Sequence, residues 1–69
     1  MTRKLKSLRA AFGLTQKDMS EKLGISEVSY RDKENGKQVF TTKEANAILD
    51  IFAERGERVS YDDIFRNEE

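Results

Sequence analysis

The sequence predicts an all-α fold, a compact set of five short helices, on three observations. No window sustains the period-two alternation of a half-buried strand. Four glycines and no prolines punctuate the chain, and each glycine follows a segment of helical periodicity. Thr or Ser followed three residues later by Asp or Glu opens three of the five segments. With 69 residues and no cysteine, the chain is expected to be one domain spanning 1–69. A chain this short buries only about 60 % of its unfolded surface. Helical packing is one of the few arrangements that hold at that size without disulfides or metal.

The elements follow in order. The first helix is expected from about Arg3 to Phe12, with Leu5, Leu8 and Phe12 on one face. Thr15 and Asp18 have the spacing of a capping box, with Asp in place of the usual Glu, and Met19 and Leu23 point inward. After Gly24, Ile25 turns inward and Ser26 caps a third helix reaching about Asn35. Lys37 to Phe40 is extended connector. Thr41 and Glu44 form a full capping box for the fourth helix, and Phe40 and Ala45 are placed for a hydrophobic staple. Ala45, Ile48, Leu49 and Phe52 make its apolar stripe. Ser60 and Asp63 repeat the device for the fifth helix, with Val59 placed to staple onto Ile64. Asp62 and Asp63 suit the positive end of its dipole.

Composition removes several function classes. There is no His and no Cys, so the usual neutral-pH base and the thiolate metal sites are missing. The adjacent acids Asp62/Asp63 and Glu68/Glu69 lie in an acidic end, with no base, nucleophile or metal-ligand set beside them. No catalytic residue, cofactor or metal is expected, and the chain does not read as an enzyme. The longest uncharged run, Ala10 to Gln16, is seven residues, whereas a membrane span needs roughly 20 apolar ones. The basic start (Arg3, Lys4, Lys6, Arg9) is not followed by the apolar stretch of a signal peptide. The expected location is the cytoplasm, with the nucleoid.

The net charge is zero, but it is unevenly distributed. Residues 1–43 hold ten Lys/Arg against five Asp/Glu, and residues 44–69 hold three against eight. Such asymmetry points to an anionic partner at the basic end and moderate, salt-sensitive affinity. Chance segregation of solvated charges is the plain alternative. The last residues, about 66–69, form a short acidic tail.

Gln16-Lys17-Asp18-Met19-Ser20-Glu21-Lys22-Leu23-Gly24-Ile25-Ser26, followed by Tyr30 and Glu34-Asn35-Gly36-Lys37, resembles the phage-repressor (Xre/Cro-type) helix-turn-helix. The preceding "LKSLRAAFGLTQ" is similar to that family's first helix and its entry to the second, and "VSYDDIF" resembles its fifth helix. The likeness covers roughly residues 4–65, with the helix-turn-helix at about 15–35. It implies a lambda-repressor-like domain whose Met19, Leu23, Ile25 and Tyr30 lock the corner between two helices. Two residues depart from the pattern. Ser20 stands where the family has Ala. Lys33 stands where it has an apolar residue packed under the third helix. A lysine there either lays its methylenes on the core with its ammonium in solvent, or marks a third helix that is rotated or shorter.

The resemblance also implies a division of contacts on double-stranded DNA. Gln16, at the start of the second helix, is expected at a phosphate, helped by backbone N–H groups there. Asn35 and Lys37 match positions that touch backbone oxygens. Arg9, Lys17 and Ser29 complete the phosphate set, although such lysines and arginines are often merely solvated. Thr2, Arg3 and Lys4 are candidates for a flexible arm. The outward face of the third helix assigns base reading to Ser26, Glu27, Val28, Arg31 and Asp32. Arg31 can fork onto guanine O6 and N7, Glu27 or Asp32 can accept from cytosine N4, and Val28 suits a thymine methyl. Alternatively the acids pair with Arg31 or Lys33 on a solvated surface. Glu34 is structural by resemblance, with Arg9 as its natural partner.

The function these features imply is a sequence-specific transcriptional regulator, a small prophage or bacterial repressor at a pseudo-palindromic operator. It is expected to act as a homodimer, at least on DNA, through its C-terminal helices. The apolar surplus of Ile51, Ile64 and Phe65 suggests that surface. A separate effector domain is not expected in 69 residues, so control is expected to fall to concentration, competition or a regulatory protein partner. The alternative is an antitoxin or antirepressor-type interaction module with the same fold.

Overall fold

The computed structural model describes residues 3–65, with the backbone alone described at Arg3. Five helices run in order: α1 (Arg3–Ala11), α2 (Gln16–Leu23), α3 (Glu27–Glu34), α4 (Thr42–Glu54) and α5 (Tyr61–Phe65). Arg3 and Lys4 form the first turn of α1, so they are not part of a flexible arm. Thr2 and the acidic tail, 66–69, lie outside the described residues.

The helix starts are set by side chains that satisfy orphan backbone donors. Thr15 Oγ1 accepts from the Asp18 N–H at 3.0 Å, and the Thr15 N–H donates to the Asp18 carboxylate at 3.0 Å. Asp therefore closes the box as well as Glu does. The same reciprocal pair joins Thr41 with Glu44 and Ser60 with Asp63. Ser26 makes a single cap, accepting from the Ser29 N–H at 3.1 Å. Backbone and side-chain hydrogen bonds from Thr15 hold the Asp18 carboxyl below its ordinary range, and those from Ser60 do the same for Asp63.

The core forms where the apolar stripes meet. Leu5, Met19, Tyr30, Ile48, Phe52 and Ile64 are almost completely buried, and Leu8, Phe12, Leu23 and Ile25 pack against them. Each large apolar side chain so buried contributes about 1.5–3 kcal/mol relative to exposure. Phe12 and Phe52 stack at 5.8 Å, joining α1 to α4. Phe40, just before α4, sits 5.8 Å from the Tyr30 ring and 5.4 Å from Phe65, so the connector is pinned between α3 and α5.

One expectation about the C-terminal region is overturned. Ile51 and Ile64 are buried and Phe65 is half-buried within the monomer's own core. They are not a surplus left for a second copy, because α5 folds back against α1 and α4. The periodicity of α4 identifies an apolar face; it does not say what covers that face. Tyr61, half exposed at the start of α5, is the large apolar residue of this region that meets solvent.

Candidate nucleic-acid interface

The corner between α2 and α3 is built by the backbone first. Gly24 takes φ 74° and ψ 28°, the left-handed region. Its N–H donates to the Glu21 carbonyl at 3.3 Å, and the Ile25 N–H reaches back to the Ser20 carbonyl at 3.0 Å. This is a Schellman closure, which satisfies the last carbonyls of α2 and reverses the chain into the Ser26 cap. A side chain at Gly24 meets nothing within 4 Å, so the requirement for glycine there is conformational. Ser20 is buried beside the turn, and its hydroxyl donates to the Lys17 carbonyl at 2.7 Å. The hydroxyl that replaces the usual methyl is therefore satisfied locally.

Glu34, the last residue of α3, is completely buried and ties the corner to α1. Its Oε2 accepts from Arg9 Nε at 2.8 Å and from the Tyr30 hydroxyl at 2.9 Å; its Oε1 accepts from Gln16 Nε2 at 2.9 Å and Arg9 Nη2 at 3.3 Å. Arg9 Nη1 donates to the Leu14 carbonyl at 2.8 Å. Burial pushes the Glu34 pKa upward, but the hydrogen bonds from Arg9, Gln16 and Tyr30 outweigh it and hold the carboxyl below its ordinary 4.5. Burial and the nearby Glu34 charge push the Tyr30 phenol well above its ordinary 10.0. A buried acid with this set of donors keeps its charge.

Lys33 takes a course that neither sequence expectation describes. Its Nζ donates to both carboxylate oxygens of Glu44, at 2.7 and 2.9 Å. The two side chains are only 12 % and 14 % exposed, so the ammonium does not extend into solvent. The helix is neither short nor broken; it runs its full eight residues to the Asn35 cap. Burial raises the Glu44 pKa, but the hydrogen bonds from Lys33 and the Thr41 N–H bring it below the usual carboxylate range.

The opposite face of α3 is open. Glu27, Val28 and Arg31 are exposed, Val28 at 57 %, and Ser29 and Asp32 are half-buried. Ser26 is exposed, with its oxygen engaged as the cap. Lys17 in α2 and, beyond α3, Asn35 and Lys37 are also exposed. The Lys37 and Gln38 N–H groups both donate to the Asp32 carbonyl, which fixes how the connector leaves the helix. Arg9 stands apart from the rest of the expected phosphate set, since its guanidinium is bound to Glu34 and Leu14. Gln16 is drawn inward as well, although its –NH2 has a second hydrogen and its carbonyl can still accept.

Because Lys33 and Glu34 are neutralised internally, α3 offers the solvent one cation, Arg31, and two carboxylates, Glu27 and Asp32. Acids facing the nucleic acid repel phosphates and gain only from a correctly placed donor such as cytosine N4. Among the described residues no three His, Cys, Asp or Glu side chains cluster to hold a metal ion, and no helix is long and apolar enough to cross a membrane. Sequence reasoning missed the Lys33–Glu44 pair. The signal was present only as an unusual lysine.

No curated protein and no solved structure matches the chain. A family model described as Helix-turn-helix matches residues 5–57, which takes in most of α1, all of α2 to α4 and the whole corner. The chain belongs to the Xre/Cro-type helix-turn-helix family of DNA-binding transcription regulators.

Proposed function

We propose that the protein is a sequence-specific regulator of the small prophage or bacterial repressor kind, with α3 lying in the major groove of double-stranded DNA. The observation that supports this most is the two-sided character of α3. Tyr30 and Glu34 hold its inner face, while Val28 and Arg31 are exposed. An exposed valine amid charged neighbours is suited to a thymine methyl, and a free guanidinium to guanine.

In this reading Glu27, Val28, Arg31, Asp32 and Ser26 discriminate bases, and Lys17, Asn35, Lys37, Ser29 and Gln16 meet phosphates. Arg9 acts one step back: it fixes Glu34, and Glu34 orients the Gln16 amide at the start of α2. Attraction to the backbone then rests chiefly on Lys17, Lys37 and the N–H groups opening α2. Affinity is moderate and salt-dependent as a result. Two copies pair on the DNA, with half-sites about one helical turn apart. Pairing at the C-terminal helices would involve Tyr61 rather than the interior residues Ile51 and Ile64.

The test is a titration of the purified protein against the duplex from upstream of its own coding sequence, at two salt concentrations, beside a scrambled duplex. The expected result is binding to the upstream duplex about 10³-fold tighter or better than to the scrambled one. Equal affinity for the two would contradict it.

A further inference from the structure

The geometry points to Lys33 and Glu44 as a positioning pair that sets the rotation of α3 about its own axis, and so sets which side chains face the bases. This rests on the reading of α3 as the helix that meets DNA. Three ties hold α3. The Gly24 turn fixes its start relative to α2. Glu34 fixes its end to Arg9 of α1. Lys33, the neighbouring residue, reaches the other way, to the first turn of α4.

Successive residues on a helix point about 100° apart. Ties at 33 and 34 therefore grip one turn from two sides. Tyr30 and Glu34 hold one face of the helix, and the tie at Lys33 adds resistance to roll from a second side. The far end is itself held, because Glu44 Oε1 accepts from the Thr41 N–H at 3.0 Å while it accepts from Lys33. A lysine held at both oxygens of a capped carboxylate fixes the distance between α3 and the start of α4.

Roll of α3 is the motion to which base reading is most sensitive. It exchanges Arg31 and Val28 for their neighbours at the groove floor. Lys17 is carried by α2, and the flexible stem of Lys37, whose N–H is tied to the Asp32 carbonyl, lets its ammonium follow a phosphate. Loss of the pair is thus expected to lower discrimination between sequences while leaving attachment to any duplex intact.

The test is the double variant Lys33→Met with Glu44→Gln. One cation and one anion are removed together, so the net charge stays at zero. Met follows the lysine stem, and Gln keeps the capping box. The probes are the duplex that the unaltered protein selects from a random-sequence pool and a scrambled version of it. We expect the selectivity ratio to fall by about tenfold or more, with affinity for the scrambled duplex and its salt slope unchanged. Without DNA, hydrogen exchange of the α3 amides should accelerate by about tenfold while those of α2 keep their protection. Lys33→Arg, which retains the ion pair, should keep both properties.

An unchanged ratio with unchanged α3 exchange overturns the proposal. So does faster exchange in α2, α3 and α4 together, which would make the pair a general brace. If the unaltered protein selects no sequence at all, the DNA-reading proposal fails, and the exchange comparison still decides whether the pair holds α3.

Discussion

Arg9–Glu34 and Lys33–Glu44 anchor adjacent residues of α3, one to α1 and the other to α4. At the first, a planar guanidinium forks onto a completely buried carboxylate that also accepts from Tyr30 and Gln16. At the second, a flexible ammonium meets a carboxylate that retains some exposure. The two cations hold their acids differently, because the fork fixes direction and the point charge fixes chiefly distance. The difference teaches that adjacent residues of one helix can be tied by contacts of unequal burial. One belongs to the fold and the other, in the reading proposed above, to the adjustment of the base-reading face.

The strongest way to break that comparison is to remove each acid in turn. Glu34→Ala leaves the Arg9 guanidinium and the Tyr30 hydroxyl without their buried acceptor. We expect a loss of about 3–5 kcal/mol, with a fall in Tm on the order of 25 °C for a domain of this size. Glu44→Ala, at a partly exposed site, should cost about 1–2 kcal/mol. Equal losses in urea titrations of the two variants would erase the distinction.

Acid should expose the same contrast reversibly. Both carboxyls are held below their ordinary 4.5 in the folded protein. A depressed folded value means that the stability is fully present above the ordinary value and is lost as pH falls through the folded one. Thermal melts should therefore be flat from neutrality to about pH 5 and decline below about pH 4.5. Glu34→Gln should flatten that decline more than Glu44→Gln does. A decline of unchanged steepness in Glu34→Gln would place the acid sensitivity elsewhere.

Much of the fold was legible because its signals are local. The reciprocal caps at Thr15, Thr41 and Ser60 need only a four-residue window, and all four glycines have the positive φ expected of helix stops. The Arg9–Glu34 tie was legible through the motif, since both residues fall at matched positions. Lys33–Glu44 was not. Its partner lies 11 residues on, across a connector, and Glu44 already had a local role as a cap. Sequence periodicity likewise could not show that α5 packs against α1 and α4. It also could not show that Gln16 turns toward Glu34, since a polar residue at a helix start suits either direction.

Two smaller effects sharpen the contrast between the braced and the open faces of α3. Arg31→Ala should weaken binding to the preferred duplex by about 1–3 kcal/mol with little change on random DNA. Equal losses on both would make Arg31 a phosphate contact. Lys37→Ala should weaken binding to all sequences slightly and reduce the slope of log K against log salt by about 1. An unaltered slope would remove Lys37 from the interface.

The most direct measurement is a map of backbone amide shifts in the isotope-labelled protein as its preferred duplex is added. If α3 reads DNA with its inner side braced, the largest changes fall at Val28, Arg31 and Lys37, while Ile48 and Phe52 in the interior of α4 stay still. Shifts gathered on α4 and α5, with Val28 and Arg31 unmoved, would place the nucleic acid on the other side of the molecule.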